Sequence, residues 1–188
     1  MQTKIPCTIM RGGTSKGLYL LAADLPAPGP VRDALLMRIM GTPDARQIDG
    51  LGGATSVTSK IAIIAPSARP DADVDYTFAQ IAVNQPTVSY AGNCGNISSG
   101  VGPFAIEAGL VPAIDGETLV RIYNTNTDKI MHERIRVVNG RVDYSGDASI
   151  PGVPGTAAPI RVEIIDPAGA VCKALLPTGN PTDIRRVE

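Results

Sequence analysis

The 188-residue sequence has no tryptophan, and only two phenylalanines and five tyrosines. A core must therefore rest on Ile, Val, Leu and Ala. Histidine occurs once; the three cysteines, Cys7, Cys94 and Cys172, are far apart and odd in number. That pattern does not suggest a disulfide framework, and the paired Cys/His spacing of a metal site is missing. No apolar run is long enough to span a membrane, and the start "MQTKIPCTIMRGG" lacks the apolar stretch and cleavage site of a secretory signal. A net charge of -1 argues against broad nucleic-acid binding, which needs a positive surface. The expectation is a cytoplasmic protein in a reducing compartment, with neither nucleic acid nor membrane as partner.

What is present is core-forming material. Hydrophobic residues make up 44% and charged residues 19%, the balance of a globular chain rather than a disordered one. Twenty glycines and 16 prolines imply short elements separated by turns. "TKIPCTIM", "GLYLLA", "SKIAIIA", "VDYTFAQIAV", "LVRIYNT" and "APIRVEII" read as strands. In "IRVVNGRVDYS", Asn139-Gly140 is a two-residue loop suited to the positive φ angles of a type I′ hairpin turn. "PVRDALLMRIM" has helical periodicity, with Val31, Leu35, Leu36 and Ile39 near one face and Pro30 in the first turn.

The second helical segment is more telling. In "YAGNCGNISSGVGPFAIEAGLV", the residues from Gly95 to Ile106 carry no charge. A helix without a polar face is enclosed on all sides, so a curved sheet wrapped around a central helix is expected. Pro103 would remove one hydrogen bond from such a helix and kink it. Cys94 then lies at the helix N-terminus, with Asn93, Gly95 and Asn96, where unpaired N–H groups favour a thiolate or a bound carboxylate. Read alone, Cys94 could equally be a small buried hydrophobe.

Two further segments offer polar groups. In "GGATSVTSKIAII", Lys60 opens an apolar strand after Thr55, Ser56, Thr58 and Ser59. Desolvation beside a buried strand favours a neutral amine, which is a usable general base; a solvated strand-end lysine is the plainer alternative. "MRGGTSKGLYL" invites comparison with a phosphate loop, but Lys16 is followed by Gly17 and a strand rather than by Ser or Thr and a helix. What remains is a turn at Thr14 and Ser15 that offers hydroxyl and N–H groups to an anion.

Taken together, "MRGGTSKG", "RQIDGLGGATSVTSKIAII", "DVDYTFAQ", "GNCGNISSGVGPFAIE" and "LLPTGNPTD" resemble, in this order, the 2-methylaconitate isomerase (PrpF-like) family. That family includes 4-oxalomesaconate tautomerase and methylitaconate Δ-isomerase. The resemblance extends from Ile5 to Asp183. It implies an α+β fold of the diaminopimelate epimerase type, in which each of two domains is a β-barrel-like sheet wrapped around a central helix. It also implies cofactor-independent transfer of a proton on a small unsaturated di- or tricarboxylate, with no metal, nicotinamide or pyridoxal. By motif, the catalytic lysine falls on Lys60 and the helix-end cysteine on Cys94. Thr14, Ser15, Ser59, Asn93, Gly95 and Asn96 fall where substrate carboxylates are expected. "RIYNTNTDK" looks more like the methylitaconate type than the oxalomesaconate type. Family members are about twice as long, so residues 1–188 correspond to an N-terminal domain whose C-terminal partner domain lies outside this chain. Two alternatives remain open: an amino-acid racemase of the same fold, which would use two facing cysteines, and a non-catalytic binding or assembly half-module closed by a partner or as a homo-oligomer.

Overall fold

A computed structural model describes residues 3–166, 168 and 174–184; Cys172 lies outside them. A nine-stranded mixed sheet dominates these residues. It comprises β1 (Thr8–Gly12), β2 (Ser15–Leu21), β3 (Lys60–Pro66), β4 (Val74–Ile81), β5 (Val88–Ser89), β6 (Gly116–Asn124), β7 (Lys129–Val138), β8 (Arg141–Val142) and β9 (Arg161–Ile164). The strand order is β1-β2-β3-β4-β6-β7-β8, with β5 against β4 and β9 against β7. β2 runs parallel to β3 and β4 parallel to β6; the other pairs are antiparallel.

The sheet buries both faces, through alternation along each strand. On the inner face, Tyr19, Ile64, Tyr76, Ile122 and Met131 enclose Ile97, Val101, Phe104 and Ala105 of the central helical segment. On the other face, Leu18, Leu20, Ile61 and Ile63 meet Leu36 and Met40 of helix α1 (Pro30–Met40). Pro30 occupies the first helical position, and Gly41 ends the helix at φ 80°. There Gly41 N–H donates to Arg38 O, and Thr42 N–H to Met37 O (2.9 Å), a left-handed cap that glycine adopts without steric penalty. The buried side of α1 differs from the periodicity reading. Arg32, Leu36 and Met40 are buried, whereas Val31 is 70% exposed. Leu36 and, partly, Ile39 of the expected face do pack against the sheet, but the contact is centred on Leu36 and Met40 and leaves Val31 outside.

The enclosed helix is present but broken. α2 (Gly95–Ser98) is a single turn, and α3 (Val101–Glu107) follows after Ser99 and Gly100. Pro103 is thus the third residue of α3, where an N–H would lack an intrahelical partner, and it interrupts nothing. From Val101 to Ile106 every residue is buried. The hairpin between β7 and β8 turns at Asn139 (φ 53°) and Gly140 (φ 69°), both in the left-handed region that a type I′ turn requires. No helix among the described residues is long and apolar enough to cross a membrane.

Candidate active site

Lys60 is the first residue of β3, opposite Gly17 of β2 and Gln80 of β4. Strand alternation puts its side chain on the inner face with Ala62 and Ile64. The residue is only 8% exposed. Its amine donates to Gln80 Oε1 at 2.5 Å and lies 5.2 Å from the centre of the Phe78 ring, within the range of a cation–π contact. Gln80 is fixed in turn, because its Nε2 donates to Ser59 O (3.0 Å) and Ser56 O (3.1 Å).

Cys94 caps α2 with extended backbone geometry (φ -121°, ψ 101°) and packs, half-buried, against the inner core. The first intrahelical bond runs from Ser98 N–H to Cys94 O (2.8 Å). The N–H groups of Gly95 and Asn96 precede it and have no partner within the helix. Because α2 is one turn long, its macrodipole is small; local N–H groups, rather than a long helix, are what this end supplies.

The glycine turn between β1 and β2 meets α2 directly. Thr14 N–H donates to Asn96 Oδ1 (3.1 Å) across 82 positions of sequence. Gly12 and Gly13 permit this approach: a Cβ on Gly12 would collide with Asn96 O, and one on Gly13 (φ 51°) with the Asn96 amide. Gly17 performs a similar task, since a Cβ there would meet Lys60 O at 2.7 Å and Ile97 Cδ1 at 3.0 Å. The start of β3 and the first turn of α2 are therefore neighbours.

The predicted residues do not all face one opening. Thr14 is exposed and Ser15 is buried at the start of β2. Ser59 is fully buried, its hydroxyl placed between Gln47 Oε1 (2.8 Å) and Thr55 O (2.7 Å). That side chain ties the loop before β3 inward and does not present itself to a ligand. A groove of about 380 Å³ is lined by Arg11, Gly13, Gly95, Asn96, Ser99 and Tyr144, among others; it does not reach Lys60 or Cys94. No hydrogen bond among the described residues joins the lysine to the thiol.

Sequence reasoning missed an asparagine network behind the cysteine. Asn93 Oδ1 accepts from Asn124 Nδ2 (2.9 Å) and from Ser98 Oγ (3.2 Å). Asn124, fully buried at the end of β6, accepts through Oδ1 from the N–H groups of Asn126 and Thr127. Asn126 bonds Phe78 N–H (2.7 Å), Phe78 O (2.9 Å) and Tyr90 O (2.8 Å). The cysteine loop is thereby fastened to the stretch of β4 that carries Phe78, beneath the lysine amine. The signal was the paired asparagines of "NTNT", which can fold back on their own backbone.

A buried acid was missed as well. Glu133 of β7 is fully buried, and its Oε2 accepts from Gly102 N–H in the first turn of α3 (2.8 Å). Its Oε1 has no partner, and burial pushes the carboxyl up to about 8. Burial likewise raises the nearby phenols of Tyr19 and Tyr76, so both stay neutral; Tyr19 donates to Ile97 O (2.7 Å).

Against this geometry the comparisons are decisive for the family. The PrpF protein model matches residues 2–187. The chain belongs to the PrpF family. It is 59% identical to the 4-oxalomesaconate tautomerase of Pseudomonas putida over 97% of this chain and 50% of that protein. Identity to the 3-methylitaconate isomerase of Eubacterium barkeri is 55%, over 97% of this chain and 48% of the relative. The chain thus spans about half the length of these curated relatives. A crystal structure of methylitaconate-delta-isomerase superposes with a TM-score of 0.87 at 55% identity, covering 89% of this chain and 75% of that one. The α+β architecture of a curled sheet around a central helical segment is therefore that of a solved PrpF relative.

Proposed function

We propose that residues 1–188 form the N-terminal domain of a two-domain isomerase that moves a proton between the ends of a three-carbon allylic unit. The substrate class is a small unsaturated di- or tricarboxylate. Relatives named for oxalomesaconate, methylitaconate and 2-methylaconitate have that chemistry in common: an acidified C–H next to a double bond conjugated with a carboxylate. The observation that carries the reading is the buried Lys60 amine, held by an uncharged amide on the sheet face that also packs Cys94.

In the proposed step the allylic C–H bond breaks. Its proton goes to neutral Lys60, and its electron pair delocalises into the conjugated carboxylate as a dienolate. A proton returned to the far carbon, from Lys60 or from the Cys94 thiol, moves the double bond by one position without net change of atoms or electrons; on the thiol route the Lys60 proton then passes through solvent to the thiolate, restoring both groups. The N–H groups of Gly95 and Asn96, with Thr14, Ser15 and Asn93 nearby, are assigned to the carboxylate whose charge grows in this step. Donors aimed at developing charge are worth about 3–4 kcal/mol each in other enzymes. Ser59, turned inward, acts through the loop it holds. The second domain would close the site over Lys60 and Cys94. A cytoplasmic location is part of the same proposal, resting on three cysteines whose number and wide spacing suggest no disulfide framework.

The reading is tested by offering the two-domain protein methylitaconate, 2-methylaconitate and oxalomesaconate separately. Proton NMR then follows double-bond migration. Turnover of at least one, without added metal or cofactor, is expected; inertness towards all three, alongside racemisation of an amino acid, would replace the proposal.

A further inference from the structure

We infer that Gln80 is a positioning residue for Lys60, holding the amine through a neutral acceptor so that the lysine can lose its proton. This rests on the reading of Lys60 as the base. The two residues are directly opposed in the β3–β4 register, so their side chains emerge on the same face. The orientation of the Gln80 amide is settled by its other partners. Ser56 O and Ser59 O can only accept, so Nε2 faces them and Oε1 must face the lysine. An amide oxygen accepts from an amine in either protonation state. With one N–H engaged there and the Phe78 ring on one side, the nitrogen lone pair of a neutral lysine remains available to a substrate C–H.

The choice of amide over carboxylate matters because the two match in length but differ in charge, and because only the amide can also donate to Ser56 O and Ser59 O. A glutamate at position 80 would place a negative charge at the same hydrogen-bonding distance, and opposite charges that close favour the ammonium form by one to three pH units. Lys60 takes part in none of the ion pairs among the described residues. The fold thus anchors this lysine through a neutral amide; the Phe78 ring favours the ammonium form only weakly, and no carboxylate adds to it.

The experiment compares the pH dependence of kcat in the two-domain protein for wild type, Gln80→Glu, Gln80→Met and Lys60→Met, with circular dichroism to check folding. Gln80→Glu should move the rising limb of the profile upward by one unit or more. Activity would then be roughly tenfold lower near neutrality and recover at alkaline pH. Gln80→Met should lower kcat about tenfold with KM little changed and no upward movement of the profile. An inactive Lys60→Met with an undisplaced Gln80→Glu profile would overturn the role of Gln80 alone. Retained activity in Lys60→Met would overturn the base assignment and this role with it. If Gln80→Glu does not fold, Gln80→Met decides: a kcat within twofold of wild type rejects the inference.

Discussion

Replacing Glu133 by glutamine removes the ionisable group and places an NH2 where the buried Oε1 has no partner; that cost is independent of pH. The amide oxygen can still accept from Gly102 N–H, now 2.8 Å from Glu133 Oε2, and the volume is unchanged. In the folded chain the carboxyl is pushed up to about 8 by burial, from 4.5. Between these values the native state binds more protons than the unfolded state, so stability falls as pH rises. From pH 5.5 to 8.0 the loss is roughly 3 kcal/mol, taking 1.36 kcal/mol per unit. The carboxylates held low by hydrogen bonds or ion pairs, such as Asp44, Asp71 and Asp143, act in the opposite sense. Their stabilisation is lost as pH falls through the acid range, outside this window. Urea unfolding of the 188-residue chain, followed by far-UV circular dichroism at several pH values, measures the effect. The wild-type chain should lose stability across the window relative to Glu133→Gln, so the gap between the two curves should change steadily from its acid to its alkaline end. Parallel curves would show that Glu133 titrates alike in both states, refuting the argument from burial.

Two other substitutions probe how the site is held. Asn124→Ala takes one of two donors from Asn93 Oδ1, which keeps Ser98 Oγ, and leaves the N–H groups of Asn126 and Thr127 without their side-chain acceptor. It should cost about 2–3 kcal/mol in denaturant unfolding and increase amide exchange across residues 90–94. Gly100→Ala would push a Cβ into the Tyr19 hydroxyl, which is anchored on Ile97 O. A loss of about 1–3 kcal/mol by thermal or urea unfolding is expected, and no loss would mean that the Tyr19 ring can move aside.

Most strands were legible because alternation and turn residues agree, as at Asn139-Gly140 between β7 and β8. Gly95 and Asn96 are uncharged yet exposed, but the enclosure of the segment from Ile97 to Ile106 was legible because it carries no charge. Its break was not, since Ser99 and Gly100 allow a helix without demanding one. In α1 the 3.6 period placed Leu36 and Ile39 correctly towards the sheet, but that the contact extends to Met40 and not to Val31 depends on Leu18, Leu20 and Ile61, far off in sequence. Glu133 was readable in retrospect. Met131, Ile135 and Val137 lie at even spacing around it and point inward, so the strand period requires an inward carboxyl. The Thr14–Asn96 contact and the Lys60–Gln80 pair depend on long-range placement and register, which no local pattern encodes. Lys60 and Cys94 stood out through their motifs; the groups that hold them, Gln80, Asn124 and Asn126, have ordinary polar side chains whose role comes only from where the sheet puts them.

The central claim is that Lys60 removes the proton from carbon and Cys94 has the lesser part. It is tested most directly by following solvent deuterium into an unsaturated tricarboxylate by NMR, with Lys60→Met and Cys94→Ser variants of the two-domain protein. Lys60→Met should abolish exchange, because loss of a general base costs about 10²–10⁴-fold and more where water has no route. Cys94→Ser should retain measurable exchange, since a serine hydroxyl, the lysine itself or water can protonate the dienolate. Near wild-type exchange in Lys60→Met together with its loss in Cys94→Ser would make the thiol the base and contradict the account.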